Sequence, residues 1–285
     1  MYRFGIVLSA AVSLLVIAAG CGGGSSVTDE LRVVPGLCFL HMHLSEDLDI
    51  SLMPGGAETL LPLQLVDSLH SRGGLGISLL GVNLTDLSPQ LLFLSRHVDP
   101  GEMVGIGEAC FDCEARETDD GYDLLDSRGS IRGSVAGKDG WTALVTGSGA
   151  DRAARRWLSM EQEASLAADS DLVSISESDA DVTILASRNS ISFLSVIPTG
   201  MLTRQQMSYL TIARNFIADL GLTAAGLSLD VTDGGTGGMD AEFRFVREGG
   251  HIATISLGFS DTGIPPDSAV RYLTGFYGLD GVGGR

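Results

Sequence analysis

The apolar and polar positions fall into short blocks that alternate between sheet-like and helix-like spacing. Residues 36–44 (GLCFLHMHL) read as a strand, opened by Pro35 and closed by acidic residues. Residues 57–70 have helical spacing, with Pro62 marking a start or a bend. Residues 75–84 and 90–95 are apolar enough for buried strands. Residues 103–114, 122–126, 131–136 and 141–146 read as four successive strands, broken at Asp120-Gly121, Ser127-Arg128-Gly129 and Lys138-Asp139-Gly140. Asp-Gly pairs supply the positive φ of tight hairpin turns, so a four-strand antiparallel meander is the economical reading.

Helical spacing returns at 150–158. Ser159 followed by Gln162 has the pattern of a capping box for a second helix. Residues 181–186 read as a strand. Thr203 and Gln206 form another capping box, ahead of a stripe of Met207, Leu210, Ala213, Phe216, Ile217 and Leu220 that Gly221 should stop. Three strands at 227–232, 241–246 and 251–259 follow, and 266–277 reads as a closing helix. Strand-rich blocks separated by helical ones indicate an α+β protein with antiparallel sheets and packed helices rather than a doubly wound α/β fold. The length allows two similar lobes, 33–190 and 191–285, with a boundary near 187–195 that no linker composition marks.

Composition narrows the class. The 285 residues carry a net charge of −18, which argues against nucleic-acid binding because a phosphate backbone needs a basic stripe. The 44% hydrophobic content is too high for a disordered chain. Asp outnumbers Glu 24 to 12, and Lys138 is the only lysine. Both follow from a GC-rich genome or from adaptation to high salt.

The first residues read as an address. Arg3 precedes an apolar run from 5 to 19 that is short for a membrane-spanning helix. It ends in Ala18-Ala19-Gly20-Cys21, which resembles the lipobox of bacterial lipoproteins. The resemblance implies that residues 1–20 are a signal peptide and that Cys21 becomes the acylated first residue, carrying palmitate-type chains. It also implies a cell-envelope location, at the outer membrane in a two-membrane organism, with the body facing the periplasm or the exterior. Lipid chains would supply the anchor. Residues 21–32 then read as the lipidated cysteine with a flexible tether, led by GGGSSVTDE at 22–30. Removing Arg3 with the leader makes the body one charge more negative, so anionic headgroups would repel it and the lipid must hold it.

Part of the body also resembles a family of exported bacterial proteins with paired α/β lobes and no established activity. The likeness rests on Asp120-Gly121-Tyr122 and on the run from Ser134 to Thr146 (SVAGKDGWTALVT). It continues in Ala154-Arg155-Arg156-Trp157-Leu158, Ser165-Leu166-Ala167 and Asp179-Ala180-Asp181-Val182, and Val34-Pro35 suits it. It covers residues 33–190 and implies fold and export, not chemistry.

Chemical candidates are few. His41-Met42-His43 puts two imidazoles on one strand face, a common metal-holding arrangement. With residues 33–37 before it, the stretch resembles the opening motif of metal-dependent amidohydrolases. Those enzymes also need a bridging lysine, two more histidines and an aspartate; Lys138 is available, but only His251 follows it. Cys110-Phe111-Asp112-Cys113 is a C-x-x-C inside an expected strand, where the two side chains diverge. Cys38, Cys110 and Cys113 are the candidates for a disulfide, with unpaired thiols and redox chemistry as alternatives. Gly74-Leu75-Gly76 misses the dinucleotide fingerprint, so no cofactor is implied. Residues 233–240 (DGGTGGMD) read as a hairpin tip, and Glu46/Asp47 and Asp119/Asp120 as solvated turns. The expectation is an anchored, non-catalytic binding or structural module for an envelope protein or small ligand. The alternative is a metal-dependent hydrolase using His41 and His43.

Overall fold

A computed structural model describes residues 27–48, 62–83, 88–176, 180–196, 204–232 and 238–259. Eleven strands form one sheet: β1 (Leu40–Leu44), β2 (Leu75–Val82), β3 (Pro89–Ser95), β4 (Glu114–Thr118), β5 (Gly121–Leu125), β6 (Ile131–Lys138), β7 (Trp141–Thr146), β8 (Val182–Ala186), β9 (Leu222–Thr232), β10 (Gly238–Arg247) and β11 (His251–Phe259). Their order is β11-β10-β9-β8-β1-β2-β3-β7-β6-β5-β4, and every neighbouring pair is antiparallel. The first strand therefore lies next to the middle strand, β2. The chain builds outward through β2 and β3, walks back along the meander β4 to β7, and adds β8 to β11 on the other side of β1. An α+β architecture is present, with the sheet dominant.

Seven α-helices are described: α1 (Val27–Leu31), α2 (Leu63–His70), α3 (Pro100–Phe111), α4 (Ala150–Leu158), α5 (Ser170–Ser176), α6 (Arg188–Val196) and α7 (Arg204–Leu220). Because strand side chains alternate between faces, the sheet divides the core in two. On one face Met42, Ile77, Phe93 and Ile184 pack with Leu65 and Leu69 of α2 and Met103 of α3. On the other, Leu92, Leu94, Val145 and Leu185 pack under Val27 and Leu31 of α1, Trp157 of α4 and Ile175 of α5.

Several expected elements stand. The strand at 141–146 and the helix at 150–158 keep their bounds, and Gly221 ends α7 with φ 58°. The stretch 103–114 does not form a strand. Asp99 caps α3 by accepting from the Glu102 N–H at 2.9 Å, and Pro100 fits the first helical turn. Gly107 then lets α3 settle close to β5, since a Cβ there would lie 2.5 Å from Leu124 Cδ1. The first strand of the meander is β4 instead. Ser159 starts no helix; it closes α4, and two short 3₁₀ turns (Gln162–Ala164 and Leu166–Ala168) follow. Helices α5 and α6 were not expected, and β9 begins five residues early. The first twenty-one residues, the 266–277 segment, Thr203 and the 233–237 tip lie outside the described residues, as does the start of the expected helix at 57–61.

Candidate functional site: a carboxylate between two histidines

The most polar part of the interior sits under α1, on the central strands. The alternation of β1 turns His41 and His43 to one face while Met42 and Leu44 fill the opposite core. Across the β1–β2 ladder His41 faces Ser78 and His43 faces Gly76. Helix α1 lies over this patch, held by Val27 and Leu31, and directs Glu30 down onto it. Glu30 Oε2 is 3.0 Å from His41 Nε2, and Oε1 is 2.8 Å from His43 Nδ1. A carboxylate only accepts, so both imidazoles donate. Ser78 Oγ closes the other side of His41, 2.9 Å from Nδ1.

The site is sealed. Glu30, His41, His43 and Ser78 are exposed by 1%, 0%, 2% and 0%. Gly76 makes room for it, because a Cβ there would stand 2.7 Å from Glu30 Oε2 and 3.3 Å from His41 Cε1. On the far side of β1, Thr183 is the register partner of His43, and its buried Oγ1 has no hydrogen-bond partner. The two imidazoles share one strand face, as the spacing implies, and that face lies in the interior, where they pair with an acid.

Burial alone would push the Glu30 carboxyl up. The charge of His43 and hydrogen bonds from both histidines outweigh it and hold the group at about 2. Burial likewise pushes His43 down, but the Glu30 charge and its hydrogen bond raise it above the ordinary value. Both shifts favour a buried ion pair. Cys38 stands nearby, donating to the Leu40 carbonyl at 2.9 Å. Burial pushes its thiol up to about 12, only partly countered by hydrogen bonding from Ser78 and the Leu40 and Leu79 backbone.

A hydroxyl, an imidazole and a carboxylate in line are the parts of a nucleophilic triad. Here they cannot work as one. Ser78 is inaccessible on a central strand, and the acid belongs to the helix that covers it. Lifting α1 to admit a substrate would carry Glu30 away from His41, so the opening that exposes the hydroxyl dismantles the relay. Metal ligation meets a similar obstacle, since His41 Nε2 and His43 Nδ1 are both spent on the carboxylate. Among the described residues no group of three His, Cys, Asp or Glu side chains is placed to hold a metal ion.

Other expected participants lie elsewhere. Lys138, at the end of β6, hydrogen-bonds to the Met160 carbonyl, and His251 is exposed at the start of edge strand β11. Neither approaches the histidine pair. The candidate disulfide among Cys38, Cys110 and Cys113 does not form; all three are thiols. Cys38 belongs to the core under α1, whereas Cys110 and Cys113 pack against the opposite core. Cys110 lies in the last turn of α3 and Cys113 follows its C-cap Asp112, whose φ of 50° turns the chain out of the helix. Glu46, Asp47, Asp119 and Asp120 are exposed in turns, as expected. Sequence reasoning missed Glu30, Ser78 and Gly76. Glu30 was read as tether, and only the hydrophobic pair Val27 and Leu31, spaced for one helical face, hinted at docking.

No family model matches this chain, and neither does any curated protein or solved structure compared with it. The functional reading therefore rests on the sequence and the geometry.

Proposed function

We propose that the chain is a lipid-anchored protein of the bacterial cell envelope whose body is a non-catalytic binding or structural module. The carrying observation is the Ala18-Ala19-Gly20-Cys21 stretch after a short apolar run, which resembles a lipobox. The apolar run from 5 to 19 is short for a membrane-spanning helix, which supports lipid on Cys21 as the anchor. The body's acidity favours an envelope protein or a small ligand over nucleic acid as partner.

The sealed interior of the Glu30 site favours a module over a catalyst. A metal-dependent hydrolase using His41 and His43 is the rival, and stoichiometric zinc lost in His41→Ala would restore it. Two lobes remain a finer form of the proposal, with 191–285 as the second. The β8–β9 ladder, with five register pairs from Val182↔Leu229 to Ala186↔Ala225, supports the two acting as one body. Expression in a bacterial host with labelled palmitate tests the anchor. The wild-type chain should take label and sediment with membranes, and Cys21→Ser should do neither. Equal fractionation of both without label would overturn it.

A further inference from the structure

The buried Glu30 pair has no catalytic use, yet it sits where the chain enters the body. Helix α1 touches the sheet through Val27, Leu31 and Glu30, whereas the residues just after it are fixed independently. The Val33 carbonyl accepts from Trp157 Nε1 at 2.7 Å and the Val34 carbonyl from the Leu166 N–H at 2.8 Å. The Gly36 N–H donates to the Ala164 carbonyl at 2.7 Å. This staple fixes the chain from Val33 onward, so a lifting of α1 off the sheet, off α5 and off the 3₁₀ turn at Leu166–Ala168 would pivot at Val33 and Val34. Their own N–H groups donate to the Glu30 carbonyl, at 2.9 and 3.0 Å, and so report on whether α1 is formed and docked.

We propose that Glu30, clamped between His41 and His43, is a proton-dependent latch that holds α1 on the sheet and lets it swing out at the Val33–Val34 hinge when His43 loses its proton. The docked state buries an acid whose compensating charge is carried by His43. Without that charge the carboxylate is a buried, half-compensated ion, and its return to water favours the open helix.

The sign follows from both partners. His43 is raised above 6.5, so its contribution is whole below that pH and is lost as pH rises through the raised value. Glu30 is lowered from 4.5 to about 2, so its contribution is whole above 4.5 and fades toward 2. The latch is therefore tightest between about 4.5 and 6.5 and opens on the alkaline side.

Other charged groups around the centre have partners of their own or face outward. On α1, Asp29 faces Arg32 and Arg96. On α5, Asp171 accepts from Thr223 and lies 3.8 Å from Arg188, while Asp169 caps that helix. Arg152, Arg155 and Arg156 are on the exposed side of α4. His41 shares the carboxylate, Cys38 stays a thiol, and the buried Asp181 precedes β8. The facing positions of β2 and β8 are Gly76, Ser78 and Thr183, which do not titrate.

Amide hydrogen exchange on the full chain in detergent micelles, corrected for intrinsic pH dependence, tests the latch. From pH 6 to pH 9 the Val33 and Val34 amides should exchange at least tenfold faster, while Gly36 and Leu166, across the staple, hold constant. His43→Gln, which can still donate but cannot carry charge, should flatten the response. Unchanged Val33 and Val34 exchange, a common change in all four amides, or an unaltered response in His43→Gln would each overturn the proposal. If His43→Gln does not fold, imidazole NMR on the wild-type chain decides. The His43 titration and the Val33 and Val34 shifts must share one midpoint, and midpoints more than half a pH unit apart sink the latch. The test reads the folded body only, so its outcome is independent of whether Cys21 is acylated.

Discussion

Gly76 offers the sharpest probe of the buried centre, because its role is spatial rather than conformational. Its backbone does not occupy the left-handed region, so alanine is allowed there on dihedral grounds. A strand-interior glycine replaced by alanine normally gains a few tenths to about 1 kcal/mol by restricting the unfolded chain. Here the new methyl would stand 2.7 Å from Glu30 Oε2 and 3.1 Å from its Cδ. Those atoms end a flexible side chain, but the chain is pinned at both oxygens and sealed. Moving it far enough to clear the methyl lengthens the 3.0 Å contact with His41. Overpacking of this size costs about 1–3 kcal/mol, and weakening a charge-assisted hydrogen bond adds to it. A net loss of about 2 kcal/mol is expected for Gly76→Ala, lowering the urea midpoint by roughly 1 M.

Gly81→Ala on the same strand is the control. No atom stands within 4 Å of its Cβ position, and a change within about 0.5 kcal/mol is expected. A double-mutant cycle locates the cause: with Glu30→Ala in place, Gly76→Ala should cost about 1–2 kcal/mol less than it does alone. A Gly76→Ala variant as stable as the wild type, or a cycle without coupling, would refute the claim that the glycine exists to seat the carboxylate.

Three other outcomes follow from the same geometry. Glu30→Ala should cost about 3–5 kcal/mol near pH 6 by removing the partner that lets His43 hold a buried charge, with the deficit shrinking as pH rises through the raised His43 value and the wild type loses the pair; a pH-independent deficit in urea titrations would contradict the ion pair. Trp157→Phe keeps the buried ring but orphans the Val33 carbonyl, so chemical denaturation should show a loss of about 1–3 kcal/mol, and a neutral result would mean the staple is dispensable. Alkylation of the membrane-extracted chain in denaturant without reductant should label three thiols and leave Cys21 blocked as a thioether; one label would mean a disulfide after all, and four would mean no acylation. In the native state at pH 8, Cys38 should be the last to react, being 1% exposed and pushed up to about 12.

Local punctuation made part of this fold legible and left the rest hidden. β7 and α4 were bounded correctly because each is flanked by residues whose backbone only turns permit: Asp139 and Gly140 before the strand, Gly147 and Gly149 before the helix, all at positive φ. The 103–114 stretch was misread because Gly101, Gly105 and Gly107 weaken the helical period, while the true signal lay upstream in Asp99-Pro100 and Glu102. His41 and His43 were correctly placed on one face. Their partner was not visible, because Glu30 sits in a polar run that looks like linker and meets the strand only through the fold. Gly76 stood out as a failed nucleotide fingerprint, although its function is to leave space for that same carboxylate.

A buried ion pair seldom adds net stability over a well-packed apolar substitute, so the centre calls for a reason other than strength. Position supplies one. Under the lipid-anchor proposal, every force between membrane and body passes through α1 before reaching the sheet. With α1 docked, five residues, 22–26, separate Cys21 from the sheet-bound chain, and with α1 undocked eleven do, 22–32. A leucine in place of Glu30 would hold the helix under all conditions. A carboxylate between two imidazoles would instead make the docking of α1 depend on a proton, and under the lipid-anchor proposal the length of chain between Cys21 and the sheet would follow it.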